Sequence, residues 1–241
     1  MPTRFNSLVI DAADPSALAR FWSAALRWPV TFEEPDEVVV ELDGQPFVPL
    51  VFGPVAEPKT VQNRLHLDLA TTSREHQAAE VERLLALGAT RADVGQGDEV
   101  PWVVLADPEG NELCVLEPRT TYADTGPVAA IVLHCTDPAA IAPFWAEATG
   151  WPVVESTEQH ATLRRPNGTG PFLELLGSRN AKTVKNRLHI DVAPYPEDDH
   201  RSEVARLEDL GARRVDIGQG DVRWVVLADP EGNELCVLTP R

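Results

Sequence analysis

The chain has 241 residues, 43% apolar and 24% charged, which leaves room for one large domain or two of about 120 residues around a real core. A formal net charge of −17 at pH 7 argues against nucleic acid or an anionic membrane surface as partner, and no apolar run approaches the roughly 18 residues of a helical span. Three cysteines, Cys114, Cys135 and Cys236, are too few and too odd a number for a disulfide framework. With Asp11 and Asp14 interrupting any export-signal pattern near the N-terminus, they point to a reducing, cytoplasmic setting.

In chain order, Phe5 to Ala12 alternates and predicts a strand. Asp14 caps a helix with Pro15 at its first position, and Leu18, Phe21, Trp22, Ala25 and Leu26 make one apolar stripe at helical spacing. Short strands are predicted at Val30–Glu33, Glu37–Leu42 and Phe47–Phe52. The pattern then restarts, with a strand at Arg64–Leu69 and a helix at Glu75–Leu87 that is stopped by Gly88. Further strands are predicted at Arg91–Val94, Trp102–Ala106 and Glu112–Leu116. Asp107-Pro108-Glu109-Gly110 is a turn signature, because Pro presets φ at the second position and Gly suits the fourth.

The second half repeats this order. The stretch Trp102–Leu116 recurs letter for letter at Trp224–Leu238. Asp14-Pro15, Phe21-Trp22, Trp28-Pro29 and Asn63-Arg64-Leu65-His66 recur as Asp137-Pro138, Phe144-Trp145, Trp151-Pro152 and Asn186-Arg187-Leu188-His189. Such a long period means duplication of a whole domain rather than a solenoid. The predicted organisation is α+β, with a first domain at 1–119, a linker at 120–127 that is small, polar and broken by Gly and Pro, and a second domain at 128–241. Each half reads as two β-α-β-β-β modules. Two like domains on so short a linker should pack as an internal pseudo-twofold, either as a monomer or within a homodimer.

The chemistry-bearing residues lie on the repeated strands. Strand side chains alternate faces, so Arg64, His66 and Asp68 share one face, and Leu65, Leu67 and Leu69 the other. Arg187, His189 and Asp191 repeat the polar face, and Glu112 with Cys114 and Glu234 with Cys236 add to it. Two readings stay open: a pocket wall offering ligand contacts, acid–base groups or metal donors, or a network of ion pairs. A charged face is expensive to press on a dry core, so it should line a cavity. Trp102 and Trp224 stand beside this wall, as pocket floor or as packing. Phe21, Trp22, Phe144 and Trp145 are core. His76, His160 and His200 lie in polar stretches, and Gly95-Gln96-Gly97-Asp98 is a loop rather than a phosphate cradle.

On the Asp14-Pro15…Phe21-Trp22 openings, the NRLH strands and the two DPEGNELCVL hairpins, the chain resembles the vicinal oxygen chelate superfamily of glyoxalases, bleomycin-resistance proteins and extradiol dioxygenases, over nearly its whole length. The resemblance implies modules curled in pairs into cups. In metal-dependent members, ligands enter the cup from the first, fourth, fifth and eighth strands. The fifth-strand His matches His66 and His189, and the fourth-strand Glu matches Glu174. The first-strand position falls on Ser7 and Ala130, the first half's fourth-strand position near Leu50 or Val51, and the eighth-strand position on Cys114 and Cys236. The ligand set is therefore depleted, and Glu174 with His189 is its best remnant.

The expectation is a small-molecule-binding protein with ligand pockets in its cups, without the full family metal site, and with either no cofactor or a divalent metal. Arg64, His66, Asp68, Trp102 and Glu112, with Arg187, His189, Asp191, Trp224 and Glu234, would set the pockets, and their acidity favours a cationic ligand. The alternative is a metal-dependent or acid–base enzyme, a lyase, isomerase or dioxygenase, with its site in the second half. A third possibility leaves one half purely structural.

Overall fold

The computed structural model describes residues 3–42, 48–97 and 99–241. The first module holds β1 (Arg4–Ala12), α1 (Pro15–Leu26), β2 (Val30–Glu34), β3 (Glu37–Val40) and β4 (Leu50–Pro54). The second holds β5 (Leu65–Leu69), α2 (Arg74–Ala86), β6 (Thr90–Arg91), β7 (Val103–Ala106) and β8 (Glu112–Val115). After a 3-10 turn at Thr120–Tyr122, the third holds β9 (Val128–Cys135), α3 (Pro138–Thr149), β10 (Val153–Ser156), β11 (His160–Arg164) and β12 (Phe172–Gly177). The fourth holds β13 (Leu188–Ala193), α4 (His200–Asp209), β14 (Arg213–Arg214), β15 (Val225–Ala228) and β16 (Glu234–Val237).

The predicted elements are present with small shifts. α2 begins one residue early because Ser73 accepts the His76 N–H and caps it. The strand predicted at Arg91–Val94 pairs as strand only through Thr90 and Arg91. Phe47, the predicted start of the fourth strand, Asp98 of the Gly-rich loop and Met1 lie outside the described residues.

Each α1-type helix is fixed at both ends by local chemistry. Asp14 accepts the Ala17 N–H at 2.9 Å, and Asp137 accepts the Ala140 N–H at 3.0 Å. The helices end on left-handed residues, Gly150 (φ 71°) in α3 but Arg27 (φ 58°) in α1, where a side chain accepts a conformation that Gly adopts freely. Their apolar stripes bury Trp22 and Trp145 almost completely. The indole N–H of Trp22 donates to Asp107 at 3.1 Å, and that of Trp145 to Asp229 at 3.2 Å. Those two aspartates also organise the repeated turn, each accepting the N–H groups of residues two and four positions on. Burial pushes the pKa of both carboxyls up, against the hydrogen bonds they accept.

The strands form two eight-stranded sheets, in the orders β14-β15-β16-β13-β1-β4-β3-β2 and β10-β11-β12-β9-β5-β8-β7-β6. The central seams are antiparallel: β1 on β13, with Val9 opposite His189, and β5 on β9, with Leu67 opposite Ile131. Modules do curl in pairs into cups, but the pairing crosses the halves, module one with four and module two with three. The alternation of every seam strand is the same, so its sequence pattern is compatible with either partner.

One apolar core joins the inner faces of both sheets and the helices, with Leu8, Ile10, Leu67, Ile131 and Ile190 meeting Leu18, Trp22, Leu84, Trp145 and Leu207. Replacing either buried tryptophan by Ala costs about 3–5 kcal/mol on this account. The opposite face of each sheet lines a cup.

Candidate functional site: two unequal cups

The polar strand face predicted from the alternation is real, but its members divide by role. Arg64 is a clamp. It donates to Asn233 Oδ1 at 2.9 Å and to the carbonyls of Asn180 and His134 at 2.7 Å each, and lies 3.6 Å from Glu231. Arg187 mirrors it on the carbonyls of Glu57 and Asp11 and on Glu109 at 3.0 Å. Glu112 pairs with Lys59 at 2.6 Å and accepts the Asn63 N–H; Glu234 pairs with Lys182 at 2.6 Å and accepts the Asn186 N–H. These four border the site with their charges already matched, which is the ion-pair alternative left open above.

His189 and Asp191 remain for the first cup, built by β1–β4 and β13–β16. They stand two apart on β13, and Cys236 on β16 sits in register with Asp191. His189 Nε2 lies 3.5 Å from Asp191 Oδ1 and 3.4 Å from the Cys236 sulfur. Ser7 donates to the other carboxylate oxygen of Asp191 at 3.3 Å, and Asn6 donates to Ser7 at 3.0 Å. Burial works to lower the His189 pKa, but Cys236 and Asp191 outweigh it and hold it well above the usual imidazole value. Burial pushes the Cys236 thiol up. Asp191 Oδ1 and His189 Nδ1 are buried without a hydrogen-bond partner.

This floor opens into a cavity of about 1620 Å3, walled by Val9, Val39, Val51, Ile217 and Leu238 and bordered by the loops before β5 and β13. Trp224 lies on its lining with 40% of its surface exposed. Polar and charged residues make up more than half of the lining, and the volume exceeds the roughly 300–1,000 Å3 usual for small-molecule sites, so this is a large cleft of mixed polarity.

The second cup, built by β5–β8 and β9–β12, carries the matching residues but is filled. Tyr122 from the linker lies in it, 9% exposed, packed against Val104, Cys114, Val132 and Phe172. Its hydroxyl donates to Glu174 at 2.6 Å. Burial raises the Glu174 pKa and the Tyr122 pKa. Trp102, the counterpart of Trp224, packs onto the same cluster. His66 lies 3.2 Å from Asp68 and stacks on His134 with ring centroids 5.3 Å apart. Burial, His66 and Arg64 together depress the His134 pKa to about 4. Neither Tyr122 nor His134 was singled out by sequence. A lone aromatic in a polar linker was the available signal for Tyr122. His134 sits on the cup face of β9, opposite the NRLH strand.

The pairing of modules separates the expected metal pair. Glu174 is on β12 and His189 on β13, in different sheets, so they share no cup. The four positions implied by the resemblance come together as Ser7, the Val51 stretch, His189 and Cys236 in the first cup, and as Ala130, Glu174, His66 and Cys114 in the second. Neither is the His/Glu set of the metal-dependent relatives. Among the described residues, the close donor groups are His189, Asp191 and Cys236, and their copies His66, Asp68 and Cys114, with donor atoms within 4.8 Å of one another in each.

Four βαβββ modules, the two cups and the duplicated hairpins define a vicinal oxygen chelate protein with two tandem domains. The chain belongs to the glyoxalase-like domain family, whose model matches residues 7–116 and again 130–238. A curated relative, Glyoxalase 1 of Caenorhabditis elegans, is 27% identical over 145 residues, 56% of this chain and 49% of that protein. The chain thus spans about half the length of the relative it matches. Among solved structures, glyoxalase I from Zea mays superposes with a TM-score of 0.67 at 12% identity, over 98% of this chain and 92% of that one, a likeness of fold.

Proposed function

We propose that this chain binds one small molecule, in the cup built by the first and fourth modules, without the family's His/Glu metal set. The carrying observation is the inequality of the cups: one is an open cavity lined by an exposed tryptophan, and the other holds Tyr122, while an aspartate oxygen is buried and unpartnered in each. A ligand that hydrogen-bonds His189 Nδ1 or Asp191 Oδ1 would relieve groups that burial otherwise penalises by about 1–3 kcal/mol each. Lys182 and Lys185 at the border are already paired, with Glu234 and Asp11. At the floor, Asp191 Oδ1 lacks a hydrogen-bond partner and faces His189 at 3.5 Å, which supports a ligand with a donor-rich group. One chain supplies every wall of both cups, which supports a monomer as the working unit. The net charge of −17 supports a small-molecule partner over nucleic acid or an anionic membrane.

A thermal-shift screen followed by titration calorimetry tests this. The expected result is one ligand per chain, with binding reduced at least tenfold in Asp191→Asn. Two equal sites per chain, or uptake indifferent to Asp191→Asn, would refute it.

A second reading, an enzyme of the lyase, isomerase or dioxygenase type, is favoured by one observation: an imidazole, a carboxylate and a thiol meet at the same floor. It also accords with the name of the C. elegans relative. A divalent metal there would act as a Lewis acid. His189→Ala should then abolish turnover while the thermal unfolding curve stays cooperative, and unchanged turnover would sink it.

A further inference from the structure

The two cups are copies built in the same register. Val9 lies opposite His189 and beside Val51, and Val132 lies opposite His66 and beside Glu174. Cys236 pairs in register with Asp191 as Cys114 does with Asp68. A group seated on one set of side chains therefore marks the same place on the other.

The group seated in the second cup is the phenol ring of Tyr122. It clusters with Cys114, Leu116, Val132 and Phe172, and meets the Phe172 ring edge-on with centroids 5.8 Å apart. The Arg119 guanidinium lies over the Tyr122 ring, 5.8 Å from its centroid. By the repeat, these positions are Cys236, Leu238, Val9, Pro49 and Arg241, and every one of them lines the cavity of the first cup. Apart from the change of Phe172 to Pro49, the residues around a tyrosine ring are thus repeated there. Trp224 adds an aromatic face on the same lining.

The polar end differs between the cups. The Tyr122 hydroxyl donates to Glu174 at 2.6 Å, and Val51 holds that position in the first cup. Burial, Glu174 and Asp68 all raise the Tyr122 pKa, so Asp68 also lies within electrostatic reach of the hydroxyl. The copy of Asp68 is Asp191, whose Oδ1 is buried with no hydrogen-bond partner. Ser7, which stands where the second cup has Ala130, holds the other oxygen of that carboxylate.

We infer that the first cup binds a para-substituted phenol, its ring seated as the Tyr122 ring is in the second cup and its hydroxyl donating to Asp191. The acceptor moves from β12 in one cup to β13 in the other. The para carbon is where Tyr122 joins its backbone, so the ligand's substituent leaves the ring at that point. This rests on small-molecule binding by the first cup and narrows the ligand to a planar ring with a donor at one end.

The test is calorimetric titration of the full, unmutated chain with p-cresol, the tyrosine side chain without its backbone, and with toluene, the same ring without the donor. One p-cresol per chain is expected, with toluene bound about tenfold or more weakly because Asp191 is left without a donor. Methyl NMR of the p-cresol complex should show NOEs from the ring protons to Val9 and Leu238. Tyr122→Gly, checked for a cooperative melt, should take up a second p-cresol in the vacated cup; the measurements on the unmutated chain do not need that variant. Toluene bound as tightly as p-cresol, p-cresol bound without those NOEs, or a folded Tyr122→Gly chain that still takes one p-cresol each overturns the inference. A ligand from the thermal-shift screen that binds once per chain, depends on Asp191 and is not displaced by saturating p-cresol overturns the phenol assignment and leaves the binding proposal standing. NOEs to Val132 in place of Val9 in the unmutated chain would overturn both.

Discussion

Glu109 and Arg187 lie in opposite halves of the chain, and their carboxylate and guanidinium meet at 3.0 Å. Glu109 also accepts the backbone N–H groups of Ala13 and Asp14, just ahead of α1. One side chain from the second module's turn therefore holds the first module's helix entrance and the fourth module's β13. Glu231 repeats this with Thr136, Asp137 and Arg64. The most repeated letters of the sequence, DPEGNE and NRLH, thus fasten modules to one another. Removing one partner of a largely buried ion pair costs about 3–5 kcal/mol. Arg187→Ala should lower unfolding stability by an amount of that order in denaturant titration, and a change under about 1 kcal/mol would contradict the fastening role.

Tyr122 should control how many cups are available. Tyr122→Ala vacates the second cup, so calorimetry should find ligand stoichiometry rising from one toward two. Tyr122→Phe keeps the ring but leaves Glu174 without its donor, at a cost of about 1–3 kcal/mol in stability and no change in stoichiometry. Unchanged stoichiometry in both variants would show that the second cup is closed by something other than this side chain.

The two hairpin tryptophans should behave differently although the fourteen residues that follow each are identical. Trp224 is 40% exposed on the cavity lining, so Trp224→Ala should weaken ligand binding with little loss of stability. Trp102 packs on the plugged cluster, so Trp102→Ala should lower the melting temperature and spare binding. Paired melting curves and ligand titrations decide this; equal behaviour of the two variants would contradict it.

His134 should make the fold sensitive to mild acid. Its pKa falls from the usual 6.5 to about 4 in the folded state. Between those values the unfolded chain takes up a proton that the folded chain refuses, so stability is present above pH 6.5 and falls as the pH drops toward 4. With about 1.4 kcal/mol per unit, the window is worth roughly 3 kcal/mol. His134→Gln should flatten this part of the stability–pH curve, and an unaltered slope would assign it to other groups.

Much of this was legible in the sequence for a clear reason. Strand and helix periods, the Asp caps, the turn at Asp107 and the core tryptophans are local signals, fixed by backbone geometry and by burial of one face. The polar face of His66 and Asp68, and of His189 and Asp191, followed from alternation alone. The division of that face into clamps and floor did not, because Arg64 and Arg187 are committed by partners far away in the chain, Asn233 and Glu109 among them.

The sequence by itself determined four βαβββ modules, their duplication and which side chains face a cup. The tertiary structure decided which modules share a cup, that Glu174 and His189 are kept apart, and that Tyr122 fills one cup while the other stays open. Module pairing is settled at the β1–β13 and β5–β9 seams, where side-chain packing and the Glu109 and Glu231 contacts across modules select among strands whose alternation is equivalent. That selection is a long-range energy, and no local pattern of residues encodes it.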